Sequence, residues 1–402
     1  RTILWVIFGF SMVLLWDKWQ LHNGNKATFF PSPAAVGAAA PAAGASAPLA
    51  GAASVPASTA PAVASIGASA VPGTPAPAAP AAREKIEVTT DVYRLTFDGE
   101  GGSLTHAELL KHADMTDKAK NFVLFDESTQ RVYVAQTGLI GGSFPTHKTV
   151  MTAVPGPRAL KDGENELTIR FESPEQGGVK LVKTWTLKRG AYDIAVKHEV
   201  LNVGSTAVSP QLYLQLVRDG NKPPGESSFY STFTGPAVYT DAKKYQKIEF
   251  KDIENGKVDI PKESPNGYVA MVQHYFASAW LLADGVQREL FTRKVSDNLY
   301  SVGMITPLGN IDPGTTKAVD ARLFAGPQVE TMLEKLSTGL DLVKDYGWLA
   351  ILSKPLYWLL DQLHKLLGNW GWSIVALVLL LKIAFYWLNA KAYASMAKMK
   401  AI

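Results

Sequence analysis

The sequence predicts a mixed membrane protein. An N-terminal membrane helix is followed by a large antiparallel β-sandwich with helical trimmings, an amphipathic interfacial helix and a second membrane helix. Three observations predict this. Apolar runs lie near both ends of the chain, a charge-free Ala/Pro stretch follows the first run, and short alternating segments separated by turn residues fill the middle. With 402 residues and 47% hydrophobic content, the chain can bury a sizeable core in two or more units. A net charge of +4 without any basic run gives no nucleic-acid footprint. The absence of cysteine excludes disulfides, thiolate metal sites and cysteine nucleophiles. The chain begins with Arg1 and stops at Ile402 inside a helical-looking stretch, so the expectation is the front part of a longer protein.

Residues 1–19 hold the first apolar run, "ILWVIFGFSMVLLW", flanked by Arg1, Asp17 and Lys18. Fourteen apolar residues are short of the roughly 20 a span needs, and Trp16 and Trp19 supply an interfacial ring. The bulky "WDKWQLHNG" that follows offers no small-x-small cleavage site, which favours a retained anchor over a signal peptide. Residues 20–84 read as a disordered linker. From Pro31 to Ala82 they are almost entirely Ala, Pro, Gly, Ser and Val without charge, and the prolines forbid a continuous helix.

Residues 85–340 form the predicted sandwich. "KIEVTTDVYRLTFD", "RVYVAQTG", "NELTIRFES", "VKLVKTWTLKRG", "YDIAVKHEVLNVG" and "PQLYLQLVRD" alternate with period two and are rich in Val, Thr, Tyr and Phe. That pattern means half-buried strands. A dozen or more strands at such spacing suggest one large sandwich, closed by a helix from Pro327, "PQVETMLEKLS".

Residues 346–368 predict an amphipathic interfacial helix. Leu356, Leu359, Leu360, Leu363, Leu366 and Leu367 recur at helical spacing with Asp361, Gln362, His364 and Lys365 between them. Trp348, Tyr357 and Trp358, with Trp370 and Trp372 beyond the turn, are the expected interfacial anchors. Docking of this helix on the sandwich is the competing reading. Residues 370–388 predict the second span, and residues 389–402 begin a cytoplasmic helical region with Lys391, Lys398 and Lys400 and no acid. The positive-inside rule then puts both ends in the cytoplasm and residues 20–368 outside.

Lys382 interrupts the second span between Leu381 and Ile383. A charge at the centre of a span costs roughly 2.5 to 3.5 kcal/mol, and snorkelling of the lysine stem is one way to reduce that cost. Tyr386, Asn389 and Tyr393 stand at +4, +7 and +11, on the same helical face. Such a stripe argues for a wet cavity, because lipid satisfies no polar group.

"GNWGWSI", the cation within the span and "KAYASMAKMK" resemble the first core membrane helix of the YidC family of bacterial membrane protein insertases. "HYFASAW" (274–280), "FAGPQ" (324–328) and "DYGWL" (345–349) resemble that family's periplasmic domain and its exit. The resemblance covers the whole chain. It implies an inner-membrane protein that is no enzyme and uses no cofactor or metal. Its periplasmic domain would be a twisted β super-sandwich with a cleft. It implies a hydrophilic groove whose cation, here Lys382, attracts polar or acidic tails of nascent membrane proteins. It also implies partnership with lipid, with the Sec translocon and its accessory subunits, and with the ribosome through regions mostly beyond residue 402. Lysine stands where relatives carry arginine, and Trp387 where relatives carry proline, so the helix is expected to run straighter past Tyr386. Tyr386 and Asn389 as groove lining are read from the stripe alone.

Nothing else in the sequence makes a case for chemistry. His106, His112, His147, His198 and His274 lack metal-ligand spacing, and Asp98 and Glu100 before Gly101 and Gly102 fit a hairpin turn better than a carboxylate pair. The competing function is a membrane-anchored periplasmic binding protein of carbohydrate-recognition type, in which the sandwich does the work and Lys382 merely snorkels.

Overall fold

A computed structural model describes residues 84–223, 232–344, 350–386 and 390. The expected anchor, the linker up to residue 83, Trp348, Asn389, the course of the chain just past Tyr386 and the tail from residue 391 lie outside the described residues.

In chain order, β1 (Lys85–Thr89), β2 (Tyr93–Asp98), β3 (Ser103–Ala113), β4 (Asn121–Glu127) and β5 (Val132–Ile140) form a meander. A second meander follows in β6 (Thr152–Ala153), β7 (Glu166–Glu172), β8 (Val179–Lys188) and β9 (Asp193–Asn202). β10 (Gln211–Asp219) returns beside β5, and β11 (Gly235–Thr240) and β12 (Lys244–Lys247) make a hairpin. A short helix, α1 (Phe250–Glu254), precedes β13 (Glu263–Ser264), β14 (Tyr268–Gln273), β15 (Phe276–Leu282), β16 (Arg288–Ser296), β17 (Leu299–Pro307) and β18 (Thr316–Pro327).

The strands form two nine-stranded sheets. One has the order β1-β2-β3-β4-β5-β10-β17-β16-β13, the other β12-β11-β14-β15-β18-β9-β8-β7-β6. Every described ladder between them is antiparallel, so the predicted antiparallel sandwich is the observed fold. β7 meets β8 across Gly177–Gly178, and β8 meets β9 across Gly190. The Asp98–Glu100 segment is the turn between β2 and β3, where the Glu100 N–H donates to Asp98 Oδ1 at 2.7 Å.

The core sits between the sheets. Trp185 on β8 and Trp280 on β15 are fully buried with ring centroids 6.2 Å apart, and Phe97 packs 5.1 Å from Trp185. Polar ties cross the same gap. Trp280 Nε1 donates to the Gln215 carbonyl at 3.1 Å, and Tyr133 Oη and Ser278 Oγ share a hydrogen at 2.6 Å.

β14 and β15 are buried on both faces, because α2 (Glu330–Leu336) and a 3₁₀ turn (Leu340–Val343) cover the outside of their sheet. Leu333, Leu340 and Val343 join the core there, and Tyr268 Oη donates to the Gly339 carbonyl at 2.7 Å. These strands consequently lack alternation and read as continuous apolar runs.

Two helices complete the described chain: α3 (Ala350–Leu367) and α4 (Trp370–Ala384). Only Gly368 and Asn369 connect them. Asn369 caps α4, its side chain accepting from the Gly371 and Trp372 N–H groups at 2.8 and 3.3 Å. The rings of His364 and Trp370 stack across the connection at 3.8 Å.

Candidate functional site

α4 has no polar face. Its sequence, "WGWSIVALVLLLKIA", carries one charge, Lys382, and its large apolar side chains stand mostly in the open, with Ile383 64% exposed. A helix apolar all round belongs in a protein core or in lipid. No helix among the described residues is long and apolar enough to cross a membrane. The 15 residues of α4 rise about 22 Å, against a hydrocarbon thickness of about 30 Å.

Lys382 lies in the last turn of α4, exposed, with no ion-pair partner among the described residues. A cation there interacts favourably with the helix dipole by about 0.3 to 1 kcal/mol, too little to offset burial in hydrocarbon. Regular helix ends at Ala384, and Phe385 caps it with φ −90° and ψ 3°. Tyr386 follows in the open at 73% exposure, four residues after Lys382.

The expected aromatic anchors fall into different surroundings. Trp358, Trp370 and Trp372 are exposed on α3 and α4. Tyr357 is half-buried, with the Lys344 Nζ 4.0 Å from its ring centroid. Because Lys344 also lies 3.9 Å from Glu330 on α2, this contact seats α3 against the end of the sandwich. α3 thus meets the sandwich on its Tyr357 side, while Trp358 stays exposed.

The sandwich holds a polar group that sequence reasoning missed. Lys183 on β8 is fully buried, and its Nζ donates to the carbonyls of Gly101 and Thr137 at 2.6 and 2.7 Å, the first in the β2–β3 turn and the second on β5 of the opposite sheet. His198, its direct neighbour on β9, shares a hydrogen with Thr137 Oγ1 at 3.0 Å. Burial pulls the Lys183 amine down to about 7. Burial, then the Lys183 charge, pulls His198 down to about 3 and keeps it neutral. Nearer the surface, His147 is drawn to about 4 by burial and by Lys183 and Lys148, while burial pushes its partner Tyr213 up to about 12. The cluster contains no carboxylate and no activated nucleophile. Its chemistry is that of a clamp between the sheets. One sequence signal pointed to it: in "VKLVKTWTLK" Lys183 falls on the inward phase.

Other predicted bystanders keep to their own neighbours. His106 meets Asp126 at 3.4 Å, His112 meets Tyr192 Oη at 3.1 Å, and His274 meets Thr232 Oγ1 at 2.7 Å. The carboxylates of Glu330, Glu334 and Asp341 gather within 4.8 Å of one another. Lys344 already stands beside Glu330, and nothing else there points to an ion.

Comparison with known proteins connects sandwich and helices. A family profile described as the YidC periplasmic domain matches residues 85–359. A protein of Cupriavidus necator named membrane protein insertase YidC is 52% identical over 400 residues, covering 100% of this chain and 70% of its own length. A protein of the same name from Janthinobacterium sp. (strain Marseille) is 48% identical over 404 residues, with the same coverage. Among solved structures, a galactose mutarotase-related enzyme from Lactobacillus acidophilus covers 60% of this chain and 97% of its own, at 8% identity and a TM-score of 0.38. A putative aldose 1-epimerase from Escherichia coli K12 covers 60% and 99%, at 8% identity and a TM-score of 0.35. Likeness that slight says nothing about sugar chemistry. The family profile spans the sandwich and the start of α3, the relatives of about 50% identity span the sandwich and both helices, and the chain belongs to the YidC family of membrane protein insertases.

Proposed function

We propose that this insertase draws substrate segments into the membrane through a polar groove whose cation is Lys382, lined further by Tyr386 and Asn389. The observation that carries the reading is the one charge of α4, exposed and unpaired among the described residues, in a helix that is otherwise apolar. Magnitudes support it. A carboxylate about 4 Å from Lys382 gains about 4 kcal/mol at an effective dielectric of 20, against about 1 kcal/mol in water. That gain matches the roughly 2.5 to 3.5 kcal/mol that the lysine costs in a span. An acidic tail on its way outward gains about 2.3 kcal/mol more per charge per 100 mV of membrane potential. Apolar substrate segments then leave for lipid at about 0.8 kcal/mol per buried CH₂.

In this reading the sandwich faces the periplasm, both chain ends face the cytoplasm, and Trp348, Tyr357, Trp358, Trp370 and Trp372 hold the interface. The work needs no catalysis, cofactor or metal. Nascent membrane proteins are the substrates, and the Sec translocon and the ribosome are the partners that deliver them.

The test follows an acid-tailed, single-span substrate by protease protection in cells depleted of their own insertase. Lys382→Arg is expected to insert it normally, while Lys382→Ala and Lys382→Glu lower insertion about tenfold or more. Normal insertion by all three at equal protein levels would reduce Lys382 to a snorkelling residue.

A further inference from the structure

The outward face of the first sheet is built unlike a solvated surface. Strand register lays its side chains in rows across β5, β10, β17 and β16. One row is Gln136, Gln215, Gly303 and Phe291, and the next is Val134, Val217, Ser301 and Arg293. A cleft of about 660 Å³ lies over these rows. A second, of about 390 Å³, continues it past Ser103 on β3 toward Asp98, Glu100 and Glu127. Glu127, Gln136, His147 and Lys148 belong to both.

Two glycines shape the floor. A Cβ on Gly303 would meet the Phe291 ring at 2.5 Å, and one on Gly138 would meet Tyr213 Oη at 2.5 Å. Without those side chains both rings lie down across the neighbouring strand, and the floor becomes apolar and concave. Val134 and Val217, 2% and 5% exposed, form its base on a face where polar residues are the rule.

Polar groups are set into that floor without partners. The hydroxyls of Ser301 and Ser103, residues only 1% and 4% exposed, make no hydrogen bond although both residues line the cleft. At the centre Gln215 Nε2 donates to Gln136 Oε1 at 2.9 Å. This leaves a Gln136 amide donor and the Gln215 carbonyl acceptor outside that bond, the types of group that match the C=O and N–H which one extended residue presents on one side. The ends differ in charge: Asp98, Glu100 and Glu127 at one, with Lys148 beside them, and exposed Arg293 at the other.

We propose that this face binds an extended polypeptide segment of about six residues. β3 pairs directly with β5 at Leu104 and Ala135, so from β3 to β16 the cleft crosses four strand spacings of about 4.8 Å, about 19 Å in all, which about six extended residues span at 3.3 Å each. Small apolar side chains rest on Val134 and Val217. Backbone groups meet the glutamine pair and the two hydroxyls. A basic residue lies toward Glu127 and an acidic one toward Arg293. The site is independent of the reading given to Lys382.

The probe is a fluorescein-labelled hexapeptide of alternating valine and threonine, with lysine at one end and glutamate at the other. It is titrated by fluorescence anisotropy against the whole chain in detergent micelles, with empty micelles as blank. Saturable binding is expected, weakened at least tenfold by Ser301→Trp, which fills the cleft, and three- to tenfold by Arg293→Glu. Arg293 is exposed, so its variant keeps the test valid should Ser301→Trp fail to fold. Absence of saturable binding, or equal binding by wild type and Arg293→Glu, overturns the proposal. Displacement of the peptide by stoichiometric maltoheptaose overturns it as well, in favour of a sugar site.

Discussion

Replacing Lys183 by Met changes how the sandwich responds to pH, and the size of the change follows from the structure. The amine is fully buried, has no carboxylate partner, and donates only to the carbonyls of Gly101 and Thr137. Burial lowers its proton affinity from the ordinary 10.5 to about 7. Unfolding therefore takes up a proton between about pH 7 and pH 10.5, and stability rises with pH across that window. From pH 7 to pH 9 the integrated gain is about 2 kcal/mol, with a limiting slope of about 1.4 kcal/mol per pH unit. With an m-value of about 3 kcal/mol/M, the urea midpoint of the sandwich rises by about 0.7 M over that range. Lys183→Met has no proton to take up, so the difference between the two profiles isolates this group. The assay is urea unfolding of residues 84–344, followed by far-UV circular dichroism at half-unit pH steps. Parallel profiles for wild type and variant from pH 7 to pH 9 would show that the amine keeps its proton in the folded state, and the reasoning from burial would be wrong.

Further perturbations test other parts of the fold. Trp280→Ala empties a fully buried site and removes the Nε1 bond to Gln215, so a loss of about 3 to 5 kcal/mol is expected in chemical denaturation; a loss below 1 kcal/mol would place the core elsewhere. Arg288 is buried and donates to the carbonyls of Val286, Gly267 and Ala283 at 3.0, 2.7 and 2.6 Å. Lys in its place reaches fewer of them, and Arg288→Lys should cost about 2 to 4 kcal/mol by thermal or urea unfolding, whereas an unchanged midpoint would show the fork dispensable. Asn369→Ala removes the cap of α4 and should lower helix stability by about 1 kcal/mol, read as faster amide exchange at Gly371 and Trp372 in detergent micelles; unchanged exchange there would mean the cap is idle.

Strands covered on one face only were legible in the sequence, because burial of one side imposes period two. β7 and β8 alternate buried and open residues almost without error. β14 and β15 gave no such signal, since α2 and the 3₁₀ turn close their second face and every position becomes apolar. Lys382 was legible as well, a single cation in an apolar run, and so was the amphipathic character of α3. The rows of the cleft were not. Gln136, Gln215, Gly303 and Phe291 come from strands far apart in sequence and meet only through register.

By itself the sequence determined the composition of each segment: which runs seek hydrocarbon, which alternate into strands, which break at proline and glycine, and where one charge offends its surroundings. These are local properties, fixed by neighbours three or four positions away at most. Tertiary structure decided what the segments enclose. Lys183 becomes a clamp because two sheets meet around it, and Gly138 and Gly303 make a floor because aromatic rings from adjacent strands lie across them. Pairing between strands distant in the chain depends on the summed packing of both sheets, and no short stretch of sequence carries that sum.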